Sequence, residues 1–252
     1  MEAKLALSEV NLEGRETVVK PQVRLVLSTR RIVKALSVAT GVLLLIHLFT
    51  LWLVANDTSG SLFVKHMDQL FNFNNEENFP TFFSSSILLF AALLLLIISQ
   101  LTKSRAEGRH KWFVLSMIFF FLAFDEAVEI HERLNDITYG FLGKDHQHWS
   151  WVVPYTILSA ALGIYFFRFV MRLPVVIRNN FILSGFVYVF AAAGLEQIEG
   201  RLMKIFDPAV ILPITTTLQE LFEMVGVILF IFGLLTYISM KFETISCVTK
   251  KA

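Results

Sequence analysis

The chain has 252 residues, 55% of them hydrophobic and only 17% charged, with 25 Phe and a mean hydropathy of +0.63. Several apolar runs approach or exceed the ~20 residues needed to cross a bilayer, which excludes an ordinary soluble domain. A net charge of +1 excludes bulk attraction to nucleic acid, and a single cysteine, Cys247, excludes an intrachain disulfide framework and any Cys-rich zinc site.

Residues 1–34 are polar and mixed in charge, and end in a basic cluster of Arg24, Arg30, Arg31 and Lys34. They read as a cytoplasmic tail rather than a cleavable signal, because the apolar run that follows is too long for a signal h-region. The first span is expected at 35–55. His47 is its only ionisable group, and a lone His in such a span is more often a hydrogen-bonded packing residue than a ligand.

Residues 56–80 read as a polar loop. Near its end Asn72, Asn74, Glu76 and Asn78 alternate. That spacing resembles the first half of a calcium loop, where alternate oxygen side chains turn toward one hard cation. The competing expectation is an Asn-rich turn, with Asn78 or Thr81 capping a helix around Pro80. The turn glycine and distal Glu of an EF-hand are missing. The second span, 82–101, opens on Ser84, Ser85 and Ser86. Such serines serve close helix packing or local backbone bonds.

A basic stretch, 102–111, leads into the third span, 112–134. It ends in FLAFDEAVEIHERL, with Asp125, Glu126, Glu129, His131, Glu132 and Arg133. Ionisable groups cost roughly 2.5–3.5 kcal/mol each in hydrocarbon even on the lenient insertion scale, so this segment needs a protein interior, a wet cavity or an interface. On a continuous helix Asp125, Glu129 and Glu132 share one face. The loop 135–149 holds Asp145, His146 and His148, an H-x-H pair of a kind more often solvated than ligating. The fourth span is expected at 151–170. The fifth, 181–202, contains Ala191–Gly194, which permits close backbone approach, then Glu196 and Glu199. The sixth, 213–240, starts at Pro213 and carries Glu220 and Glu223.

The expected architecture is an all-α polytopic bundle of six transmembrane helices over 35–240, with tails at 1–34 and 241–252. Of the 22 Lys and Arg, 17 fall in the segments on the side of the two termini. The positive-inside rule makes that side cytoplasmic, in a bacterial inner membrane. Asp125, Glu126, Glu129, His131, Glu132, Glu196, Glu199, Glu220 and Glu223 then lie at one outward-facing level. Carboxylates gathered in a low dielectric must bind cations, pair with bases or protonate. One expectation is therefore a divalent-metal site (Ca, Mn, Fe or Zn), with hard oxygen donors favouring Ca, Mg or Mn and His131 shifting the choice toward Fe or Zn. A second cation site would use Asn72, Asn74, Glu76 and Asn78. The other expectation is a hydrogen-bonded network with Arg133 and Arg201.

The strings FNFNNEENFPTFFSS and FDEAVEIHERL resemble a group of uncharacterised bacterial multipass membrane proteins. The shared features are an Asn-rich loop before Pro80, Thr81, Phe83, Ser84 and Ser85, a membrane Asp125-Glu126…His131-Glu132, and Glu220-x-x-Glu223-x-x-Gly226 in the last span. The loop is also similar to the Glu-x-Asn-aromatic calcium motif of alkaline ceramidases, but the last span lacks their His-x-x-x-His. Three functions compete: a metalloenzyme on a lipid-soluble substrate, a divalent cation transporter or channel, and a non-catalytic subunit that docks a membrane protein partner or a second copy.

Overall fold

The computed structural model describes residues 28–104, 107–130 and 152–242. Among these the structure is all-α, with no strand. The helices are α1 (Thr29–Asn56), α2 (Leu62–Phe71), α3 (Phe79–Leu101), α4 (Arg109–Val128), α5 (Val152–Met171), α6 (Val175–Val189), α7 (Glu196–Leu202) and α8 (Pro208–Lys241). A six-residue π-helical turn, Phe190–Leu195, joins α6 to α7. Among the described residues, five stretches are long and apolar enough to cross a membrane: α1, α3, α5, α6 through α7, and α8. Helix α4 falls outside that set. Its 20 residues carry Arg109 and Lys111 at one end and Asp125 and Glu126 at the other.

Helices α3 and α8 have a local reason for where they begin. At the start of α3, the Asn78 side chain accepts the Thr81 N–H at 3.0 Å, and Pro80 occupies the first turn, where its missing N–H costs nothing. Helix α8 begins five residues before the expected Pro213. Asp207 caps it through the Ala209 N–H at 3.0 Å, Pro208 takes the first position, and Pro213 lies inside the helix. Between α1 and α2, the Asp57 carboxylate accepts the Ser59 hydroxyl at 2.8 Å, the Ser59 N–H at 2.9 Å and the Ser61 N–H at 2.8 Å. These donors, the Ser59 hydroxyl first, hold the exposed carboxyl below its usual range.

Two elements differ from the sequence expectation. The loop 56–80 contains α2, a short helix that leaves Leu62, Phe63 and Leu70 exposed. The third span does not run as one helix to 134. It ends at Val128, because Glu129 adopts the left-handed conformation at φ 57°. The Glu129 N–H still bonds the Asp125 carbonyl at 2.7 Å, so the left-handed turn ends the α4 register after Glu129 rather than before it.

Helix α8 is central and packs against α1, α3 and α6. Gly226 and Gly233 sit where α6 crosses it. A Cβ on Gly226 would stand 3.0 Å from the Tyr188 backbone N, and one on Gly233 would overlap Asn180. Small residues let two backbones meet at this distance without a side chain between them. The α3–α4 pair is joined by hydrogen bonds from Ser85 to the Ala123 carbonyl, 2.7 Å, and from Ser116 to the Ala92 carbonyl, 2.9 Å. Ser86 bonds the Phe82 carbonyl of its own helix at 2.7 Å. Ser85 and Ser86 thus make the interhelical and local backbone bonds expected of them, while the buried Ser84 hydroxyl has no hydrogen-bond partner among the described residues. The core gathers around Trp112, which meets Phe169 and Tyr237 at centroid distances of 4.9 Å each. In contrast, α1 and α5 turn Leu45, Trp52 and Ile164 outward, at 68%, 59% and 79% exposure. In water such faces would be a liability, whereas against lipid tails they cost nothing.

Candidate carboxylate site

The carboxylates of the site come from one loop and two helices, α4 and α8. The loop 72–78 is held on the bundle by His47 of α1, which is 1% exposed. His47 Nδ1 accepts the Phe73 N–H at 3.1 Å, so its proton sits on Nε2, which donates to Thr217 Oγ1 of α8 at 2.8 Å. The imidazole also stacks on the Phe73 ring, 4.2 Å between centroids and 10° from parallel. The Thr217 hydroxyl passes its own proton to the Pro213 carbonyl. A second tie joins Thr216 Oγ1 to Asn74 Oδ1 at 3.2 Å. His47 is therefore the packing residue expected of a lone histidine, and it clamps the loop to α8.

Within the loop the polar side chains serve the turn. Asn72 Oδ1 accepts the Asn74 N–H at 3.0 Å. Asn78 donates through Nδ2 to the carbonyls of Asn72, 2.7 Å, and Asn75, 2.6 Å, while its Oδ1 caps α3. Glu77, with φ 56°, bends the chain beside Glu76. Asn72 and Asn78 thus act as turn and cap residues. Glu76 accepts the Thr81 hydroxyl at 3.5 Å and is also an electrostatic neighbour of Glu126 and Glu220.

Those neighbours define the cluster. Glu126 of α4 interacts with Glu76 and with Asp125. Glu220 of α8 interacts with Glu126, Glu223 and Glu76. Tyr188 of α6 lies among Glu223, Glu126, Asp125 and Glu220. Asp125 is 6% exposed and accepts the Tyr155 hydroxyl of α5 at 3.2 Å. Five carboxylates from distant parts of the chain thus share one end of the bundle, half-buried or buried. Among the described residues, no three His, Cys, Asp or Glu side chains already form a closed metal-ligand set.

Three further sequence-derived acids are among the described residues. Glu199, 7% exposed, accepts the Thr215 hydroxyl where α7 meets α8. Glu196 is in the same short helix, immediately after the π turn. Glu129 terminates α4. His131, Glu132, Arg133, Asp145, His146 and His148 lie outside the described residues. Sequence reasoning missed Tyr188 and Tyr155, which no spacing distinguishes from other membrane aromatics. The alternating loop did mark Glu76, and the sequence expectation that this loop lies over the helix acids agrees with its position beside Glu126 and Glu220.

No curated protein matches this chain, and neither does any solved structure. Residues 35–238 match the family model described as "Domain of unknown function (DUF8692)", and the chain belongs to that family.

Proposed function

We propose that this is an integral membrane protein that binds a divalent cation between Glu76, Asp125, Glu126, Glu220 and Glu223. The observation that carries the reading is that Glu76 of the loop, Glu126 of α4 and Glu220 of α8 are electrostatic neighbours. Like charges so close in a low dielectric repel, and a cation relieves that repulsion while forming ligand bonds. An all-oxygen donor set favours Ca, Mg or Mn over Zn.

A transport pathway has less support. Toward the other end of the bundle Ser116, Ser184 and Ser99 are spent on the carbonyls of Ala92, Phe181 and Arg109, which leaves the buried Asn180 Oδ1 as an unbonded polar atom there among the described residues. A transporter needs such groups for its cargo. The position of the site in an outward-facing layer follows from the distribution of Lys and Arg. The test is element analysis of protein purified without chelator and then dialysed against each metal. Stoichiometric Ca, Mg or Mn that falls in Glu126→Gln and Glu220→Gln is the expected result. Metal at background level under every condition would refute the reading.

A further inference from the structure

At the end of the bundle opposite the carboxylates lies a cavity of about 1070 Å³ between the start of α4, the α5–α6 turn and the end of α8. Lys111, Arg168, Arg172 and Lys241 line it, and Glu107 is the one acid among the described lining residues. Lys111 is fixed in place. Its Nζ donates to the Tyr165 carbonyl at 3.1 Å and stands 3.0 Å from the Tyr165 ring centroid. Gly108, at φ 92°, lets the chain pass under Phe169, where a Cβ would come within 2.7 Å of the ring. This close passage sets α4 beginning at the cavity wall. Helices α4 and α6 start here while α5 and α8 end here, so the helix dipoles offset one another and the side-chain charges set the sign. The rim is apolar: Ile164 and Phe167 are 79% and 59% exposed.

The geometry points to a binding site for the phosphate headgroup of an anionic membrane lipid, with its acyl chains along the α5 face at Ile164 and Phe167. Four cations against one acid select an anion, and the volume accommodates a glycerophosphate headgroup. The exposed apolar rim favours a lipid over free phosphate, because only a lipid has a part to lay against it. The site also lies on the side rich in Lys and Arg, where anionic lipid headgroups attract basic residues.

The test measures the melting temperature of the full chain in a neutral detergent with phosphatidylglycerol, phosphatidylcholine or inorganic phosphate added. Phosphatidylglycerol should raise it by roughly 5 °C or more at saturation, and the other two should leave it within about 1 °C. The double variant Arg168→Gln/Arg172→Gln should lose most of that rise, and Arg178→Gln, outside the lining, should keep it. Equal stabilisation by phosphatidylcholine would overturn the proposal. So would full stabilisation by inorganic phosphate alone, or an undiminished response in the double variant. If the double variant does not fold, native mass spectrometry of the wild type replaces it. Retention of phosphatidylglycerol in preference to an equimolar phosphatidylcholine competitor is then required, and equal retention overturns the site.

Discussion

The substitution His47→Phe isolates what the loop clamp contributes. Phenylalanine keeps a ring to stack on Phe73 but removes both ring nitrogens. The Phe73 N–H, in a residue only 3% exposed, then loses its acceptor, which costs about 1–3 kcal/mol. The hydrogen bond from Nε2 to Thr217 is lost as well, at about 1 kcal/mol, although Thr217 keeps its bond to the Pro213 carbonyl. The sum, roughly 2–4 kcal/mol, falls on one local element. It should therefore appear as opening of the loop before it appears as global unfolding. Hydrogen exchange followed by mass spectrometry on peptides covering 70–80 reads this directly. Exchange there should accelerate roughly thirty- to several-hundred-fold, at about 1.4 kcal/mol per tenfold, while peptides from the middle of α3 and α8 stay protected. Unchanged exchange at 70–80 in a folded variant would refute the clamp, and with it the means by which Glu76 is held at the cluster.

Other substitutions probe separate joints. Gly226→Ala pushes a methyl into the Tyr188 backbone and should destabilise by about 1–3 kcal/mol, whereas Gly41→Ala, facing open space, should be neutral or slightly stabilising; thermal unfolding in detergent compares them. Ser116→Ala loses the interhelical bond to the Ala92 carbonyl and should cost about 0.5–1 kcal/mol, more than Ser86→Ala, whose bond is within its own helix. In a background with Cys247→Ser, a cysteine at position 59 should react with a membrane-impermeant maleimide from outside intact cells and one at position 107 should not; the opposite pattern would reverse the topology.

The long apolar helices were legible because burial in lipid demands a length of apolar sequence, and five of the expected spans have it. The boundary features that mattered were less so. Pro213 signals a helix start, but Asp207 and Pro208 supply a better cap and first turn five residues earlier. Glu129 as a left-handed terminator has no pattern to announce it, since Gly or Asn usually fills that position. The carboxylate site was legible as a composition: acids at one depth on several spans. Which acids meet depends on α3, which packs against both α4 and α8, and on the return of the loop through His47. Those are contacts between distant residues, and helical periodicity reports only faces within one element. Hence Glu199 joined Thr215 while Glu76 joined Glu126 and Glu220.

The central claim is that the Glu76–Glu126–Glu220 cluster binds a divalent cation. Its most direct test is the melting temperature of wild type and Glu220→Gln, each with EDTA and with graded Ca, Mg or Mn. At a hundredfold excess over Kd, binding to the native state stabilises by about 2.7 kcal/mol, roughly 5–10 °C for a chain of this size. Wild type should rise by that amount with at least one metal and fall back with EDTA, and Glu220→Gln should respond weakly or not at all. A wild type indifferent to chelator and to every metal, with a Glu220→Gln variant equally or more stable, would contradict the account.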